Sequence, residues 1–170
     1  MVAISRHLSV MARDGSPADV RVVPFEERHA AAFRDLNLDW IEEYFAVEEL
    51  DRKYLEAPVE TILAPGGAIL MVERSGVPIG CCALIKHGGG VYEVSKMAVD
   101  RSLRGLGIGA LLLREVIGHA RTLGAEKLTI ISNTVLEPAM RLYRHLGFVE
   151  VPLESNAYAR GNVALELALR

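Results

Sequence analysis

Residues 96–110 read Lys96-Met97-Ala98-Val99-Asp100-Arg101-Ser102-Leu103-Arg104-Gly105-Leu106-Gly107-Ile108-Gly109-Ala110, and the fold turns on what this stretch joins. Before it, Val91 to Val99 is an apolar run of β type. After it, Gly107 to about Leu123 repeats Leu111, Leu112, Glu115, Val116, His119 and Leu123 at helical spacing, with Gly124 as the stop. Three alternate glycines therefore stand where a strand turns into a long helix. The first N–H groups of a helix have no partner within it, and the positive end of its dipole faces outward, so such a turn suits phosphate. Glycine lets the backbone approach closely, and Arg101 and Arg104 can add charge-assisted hydrogen bonds.

Working outward, Val20 to Pro24 is a short β-type run. Glu26 to Phe45 places Ala30, Phe33, Leu36, Leu38, Ile41 and Phe45 at mostly helical spacing, as one broken or two short helices. Glu48 to Leu55 adds a helical turn or two before Pro58. Ala68 to Glu73 and Pro78 to Lys86 form a hairpin around Ser75-Gly76, and Gly88-Gly89-Gly90 makes the next reversal. Leu128 to Asn133 is a strand, and Pro138 opens a helix that ends at Gly147. Phe148 to Leu153 and Val163 to Leu169 are the last strands. This order predicts one α/β (α+β) domain over residues 20–170, a mixed sheet of seven strands flanked by about four helices. Met1 to Asp19 has no sustained periodicity and ends in turn formers, so residues 1–19 are expected to be a flexible N-terminal extension.

The chain has 170 residues, 51% of them hydrophobic and 24% charged, which suits a single compact domain. A net charge of −3 lacks the basic excess of a nucleic-acid binder. No apolar run reaches the ~18 residues of a membrane span, and the N-terminus has no signal-peptide core, so the expected address is cytoplasmic. Cys81 and Cys82 are neighbours on a strand and point to opposite faces, which disfavours a bond between them and fits a reducing compartment. The five histidines show no metal-ligand spacing, and no metal is expected. Charge is uneven along the chain: Glu26 to Glu60 holds eleven acidic and four basic side chains, a local net of −7. The remainder carries +4, with Lys96, Arg101 and Arg104 gathered at the glycine turn.

Several readings of the turn compete. A Walker loop needs Gly-Lys-Ser/Thr, and Gly109 is followed by Ala110-Leu111. Gly105, Gly107 and Ala110 meet the loose dinucleotide pattern G-x-G-x-x-A, but the next strand ends in Ser132-Asn133, without a carboxylate to hold a ribose. A coenzyme A pyrophosphate is the third reading, and a glycine-rich helix start with no ligand is the fourth.

Two motifs carry a resemblance. Arg104-Gly105-Leu106-Gly107-Ile108-Gly109, directly after Met97-Ala98-Val99, matches Gln/Arg-x-x-Gly-x-Gly/Ala; Ala139 to Phe148, read Ala-Met-Arg-Leu-Tyr-Arg-His-Leu-Gly-Phe, is like Ala-x-x-Leu-Tyr-x-x-x-Gly-Phe. In this order they resemble the GNAT superfamily of acetyl-CoA-dependent N-acetyltransferases from Val20 to the C-terminus. The resemblance implies a mostly antiparallel sheet and acetyl-CoA (coenzyme A) as cofactor. The backbone of Met97, Ala98 and Val99 would pair with the pantetheine arm, and Arg104, Gly105, Leu106, Gly107, Ile108 and Gly109 would hold the pyrophosphate. Ala139 belongs to the second motif. The asparagine that the family often places three residues before it is Leu136 here, with Asn133 as the nearby substitute.

By the same resemblance, Tyr143 protonates the departing thiolate, although Ala139, Leu142, Tyr143 and Leu146 also form one apolar helical face. Glu93, six residues before Val99, either takes the proton of the amine or pairs with a cation on a neighbouring strand. The acceptor would enter from the side of the first two helices, where Trp40, Tyr44 and Phe45 offer an aromatic wall. There the acidic block would attract a cationic amine or is only a solvated helix face. The implied function is transfer of an acetyl group to a primary amine of a small molecule or peptide by direct attack in a ternary complex. No nucleic-acid or membrane partner is implied, and a homodimer stays open. The alternative is a non-catalytic CoA-binding sensor or regulatory module.

Overall fold

The computed structural model describes residues 7–11, 17–154 and 157–170. In chain order the elements are β1 (His7–Met11), β2 (Pro17–Pro24), α1 (Ala30–Tyr44), α2 (Glu49–Glu56), β3 (Ala68–Arg74), β4 (Val77–Gly88), β5 (Val91–Val99), α3 (Ile108–Thr122), β6 (Lys127–Ser132), α4 (Glu137–His145), β7 (Val149–Val151) and β8 (Val163–Ala168). Short helical turns precede α1, follow α2 at Val59–Leu63 and occupy Arg101–Leu103. The strands form one sheet in the order β1-β2-β3-β4-β5-β6-β8-β7. Every neighbouring pair is antiparallel except β5 and β6. The expected seven strands are all present. Of the segment 1–19, residues 1–6 and 12–16 lie outside the described residues. Strand β1 comes from that same segment and pairs with β2, so the described sheet has eight strands.

Local chemistry accounts for the reversals. The β3–β4 hairpin turns through Ser75 and Gly76 at φ 50° and 80°, both left-handed, the backbone that a tight two-residue hairpin loop requires. Each face of the sheet carries its own apolar layer. One gathers Val22, Leu70, Val72, Leu84, Tyr92 and Val94 with Leu112, Leu113 and Val116 of α3 and Met140 and Tyr143 of α4. The other sets Ile69, Met71, Cys81, Ala83 and Ile85 against Phe33 and Ile41 of α1 and Leu55 of α2. Cys81 and Cys82 fall in different layers and both are free thiols. Burial pushes the Cys81 thiol up to about 12 and raises that of Cys82 as well, so both are inert hydrophobes at neutral pH.

Two irregularities of β5 open the middle of the sheet. Cys81 lies opposite Ala98 and Ala83 opposite Ser95, so Lys96 and Met97 together face the single Cys82, a β-bulge with Lys96 at φ 51°. The extra residue changes which side chains face which layer. Tyr92 and Val94 lie in the α3 layer, Met97 and Val99 pack against that same layer, and Ala98 joins the α1 layer. Secondly, β5 pairs with β6 only from Val91 to Glu93. Beyond Glu93 the two strands separate, leaving one edge of β5 without a ladder.

Candidate active site

The gap between β5 and β6 is the floor of a cleft of about 230 Å³. Val94 to Val99 and Ile130 to Asn133 line it, together with Ala139 and Tyr143 of α4 and with Trp40, Tyr44, Phe45, Tyr158 and Arg160. Met97, Ala98, Val99, Arg104, Asn133, Ala139, Tyr143, Trp40, Tyr44 and Phe45, all singled out from the sequence, are thus brought to one cavity. Glu93 and the run Gly105, Leu106, Gly107, Ile108 and Gly109 are not among its lining residues.

The glycine run caps α3 next to Arg104. Gly105 and Gly107 sit at φ 79° and 82°, and a Cβ on either would meet nothing within 4 Å, so glycine is required by the backbone conformation and the space before the turn is open. The first bond of α3 runs from Leu111 N–H to Gly107 O at 3.0 Å. The amides of Ile108, Gly109 and Ala110 are therefore left over at the positive end of the dipole. Ile108 is buried and Leu106 packs on the core, so side chains face in and the amides face out. Open space, spare amides and Arg104 on the cleft wall fit the pyrophosphate of acetyl-CoA, and the unladdered edge of β5 fits an extended pantetheine chain.

The arginines of this turn already have partners. Arg101 reaches Asp39 at 3.3 Å and Glu43 at 3.1 Å, and Arg104 lies 3.6 Å from Glu43. Asn133 is also engaged: its Nδ2 donates to the Arg160 carbonyl at 2.7 Å, and its Oδ1 accepts from Val135 N–H at 2.9 Å. It ties the end of β6 to the loop before β8.

Tyr143 is both core and cleft. It is 8% exposed, tilts against Phe148 at 6.2 Å between ring centroids, and lines the cavity. Burial raises its pKa, with the nearby Cys82 adding to the shift, so the phenol is protonated at neutral pH and is a donor. Glu93 lies 2.7 Å from Nε2 of His87, a partner on the adjoining strand β4.

Beside the rings of Trp40 and Phe45, sequence reasoning missed a charged cluster. Asp51, at 0% side-chain exposure, accepts from Lys96 Nζ at 2.7 Å and from Arg160 Nη1 and Nη2 at 2.6 and 2.7 Å. Lys96 also donates to Tyr158 Oη at 2.8 Å, and Arg160 to Glu48 Oε2 at 3.2 Å. Burial would raise the pKa of Asp51, but the hydrogen bond from Arg160 and the charge and hydrogen bond of Lys96 outweigh it and bring it down to about 2. Burial lowers the pKa of Lys96, while the charge of Asp51 opposes the shift. Lys96, grouped by sequence with the phosphate turn, thus belongs to this cluster. A lysine inside an apolar strand was the one visible signal; Asp51, Tyr158 and Arg160 carried none.

The acidic block is also reassigned. Asp39 and Glu43 pair with the turn arginines, Glu48 and Asp51 pair with Arg160, and among the described residues no aspartate or glutamate lines the cleft. The described cleft walls hold Lys96, Arg104 and Arg160 instead.

Comparison with known proteins agrees with this geometry. The family model described as "Acetyltransferase (GNAT) family" matches residues 30–148. An IAA acetyltransferase of Azospirillum brasilense is 33% identical over 115 residues, 61% of this chain and 74% of its own length. An uncharacterized N-acetyltransferase of Schizosaccharomyces pombe is 33% identical over 96 residues, 55% of this chain; the match spans only 59% of that relative. Among solved structures, an acetyltransferase of the GNAT family from Staphylococcus aureus Mu50 superposes with a TM-score of 0.80 at 19% identity, covering 89% of this chain and 99% of that one. A Salmonella typhimurium protein solved with its cofactor acetyl-CoA gives 0.71 at 20% identity, covering 89% and 94%. With the family model covering the strand–turn–helix that builds the cofactor end and the helix that carries Tyr143, the chain belongs to the GNAT acetyltransferase family of acyltransferases, whose acyl donor is acetyl-CoA.

Proposed function

We propose that this chain transfers the acetyl group of acetyl-CoA to a primary amine held at the Trp40 end of the cleft, by direct attack in a ternary complex. The observation that carries this reading is one cavity that gathers Arg104, the unladdered edge of β5, the buried phenol of Tyr143 and the rings of Trp40, Tyr44 and Phe45, with the spare amides of the α3 turn following directly after Arg104 in the chain. Bound acetyl-CoA supplies a thioester whose carbonyl carbon is open to a neutral amine. The main chain around Met97, which has no register partner on β4, offers a donor to the carbonyl oxygen; a device of this kind is worth about 10²–10³ in rate. Tyr143 gives its proton to the leaving sulfur. Glu93 receives the proton of the amine through water, and His87, half exposed beside it, passes the proton to solvent.

Calorimetry with acetyl-CoA tests the donor. Binding is expected, and Gly107→Glu, which sets a carboxylate and a strained left-handed side chain in front of the spare amides, is expected to abolish it. A wild-type protein that neither binds acetyl-CoA nor gains thermal stability from it overturns the reading. Thiol release across a panel of amines separates turnover from a CoA-binding sensor, which would bind tightly and release nothing.

A further inference from the structure

The acceptor end of the cleft has features that the acetyl-transfer reading does not use. A guanidinium has five N–H donors. Arg160 uses three: both on Nη1, to Glu48 Oε2 at 3.2 Å and Asp51 Oδ2 at 2.6 Å, and one on Nη2, to Asp51 Oδ1 at 2.7 Å. Asp51 grips the end of the guanidinium, so the remaining pair, Nε–H and the outer Nη2–H, lie parallel along its other edge. That edge is the second fork on which an arginine binds a carboxylate bidentately. It is accessible. Among the described residues, the fully buried side-chain nitrogen or oxygen without a partner is His119 Nδ1, so Arg160 Nε is not sealed off, on a side chain that is 11% exposed and belongs to a residue lining the cleft.

The surroundings favour an anion carried on an apolar body. The Arg160 guanidinium carbon lies 5.8 Å from the ring centroids of Trp40 and Phe45 and 4.6 Å from that of Tyr158. These rings set apolar surface beside the guanidinium, which strengthens a charge pair made there. Asp51 and Glu48 balance Lys96 and Arg160, so an incoming carboxylate meets a neutral cluster with a preformed fork. A polyamine would find no carboxylate on the described cleft wall.

We propose that the acceptor is an amino acid with an apolar or aromatic side chain, its carboxylate held by the Nε–H and Nη2–H of Arg160 and its side chain among Trp40, Tyr44, Phe45 and Tyr158. This rests on the acetyl-transfer reading for the fate of the amine, but the carboxylate fork can be tested apart from it. The full chain, without cofactor, is titrated in the calorimeter with 3-phenylpropionate and with phenethylamine. The carboxylate is expected to bind at least tenfold tighter. Arg160→Lys, which keeps a cation beside Asp51 and loses the fork, is expected to cut that preference below threefold, with the melting temperature checking that the variant is folded. Equal or weaker binding of 3-phenylpropionate, no binding of either probe, or a preference that survives in folded Arg160→Lys overturns the inference. With acetyl-CoA present, phenylalanine is expected to exceed phenethylamine in kcat/KM by the same order, and equal values overturn the substrate class. A protein that prefers the carboxylate but does not bind acetyl-CoA would instead break the donor reading alone.

Discussion

The two ends of the cleft are built on opposite plans. The cofactor end is local in sequence: strand β5, the glycine turn and α3 follow one another, and its chemistry is mostly backbone amide. The acceptor end is assembled from far apart. Asp51 meets Lys96 across 45 residues and Arg160 across 109, and Lys96 meets Tyr158 across 62. A backbone site tolerates many side chains around it and fails mainly where a glycine is lost. A side-chain cluster fails when any one member is lost, because the others are left buried and unpaired.

That contrast can be broken at four points. Tyr143→Phe removes only a hydroxyl from the junction of the two ends. It is expected to lower kcat by about 10²–10⁴-fold with little change in acetyl-CoA affinity, measured by steady-state thiol release beside calorimetry. An unchanged kcat would take Tyr143 out of the mechanism. Asp51→Ala strands Lys96 and Arg160 in the interior and is expected to cost about 3–5 kcal/mol in denaturant unfolding. A loss below about 1 kcal/mol would show that the cluster is not a cooperative unit.

The third is a pH titration. Because the pKa of Asp51 is depressed to about 2 in the folded chain, its contribution to stability is complete above the ordinary aspartate value of about 4 and is lost as pH falls through about 2. Wild type should therefore lose stability over that acid window more steeply than Asp51→Asn, and parallel curves would contradict the pairing. The smallest effect is expected at Glu43, which shares Arg101 and Arg104 with any incoming phosphate. These partners are substantially exposed, and such pairs are worth about 0.2–1 kcal/mol, so Glu43→Gln should tighten acetyl-CoA binding by no more than about fivefold. Weaker binding in that variant would mean that Glu43 helps to position the arginines.

Much of the fold was legible because it rests on short-range signals. Ser75-Gly76, Gly88-Gly89-Gly90, Pro138 and Gly147 mark turns and helix ends through their own backbone preferences, and each stands where the chain reverses or a helix begins or ends. Strand β1 escaped notice because residues 1–19 have no sustained alternation, and its place comes from pairing with β2. The acidic stretch from Glu26 to Glu60 misled for a related reason. Its net charge counted residues that neutralise arginines distant in sequence, so charge along the chain did not become charge on the cleft wall.

By itself, then, the sequence determined the glycine turn, the helix that carries Tyr143, the order of the elements and the family they belong to, since these depend on residues a few positions apart and on backbone conformations that few residues adopt. Tertiary structure alone decided that Lys96 meets Asp51, that Asp51 is buried between two cations, and that Arg160 lines the cleft. The physical reason is range. A bulge that changes the facing of a strand, and an ion cluster drawn from a helix, a strand and a loop, become favourable only once packing has excluded water and brought those groups within hydrogen-bond distance.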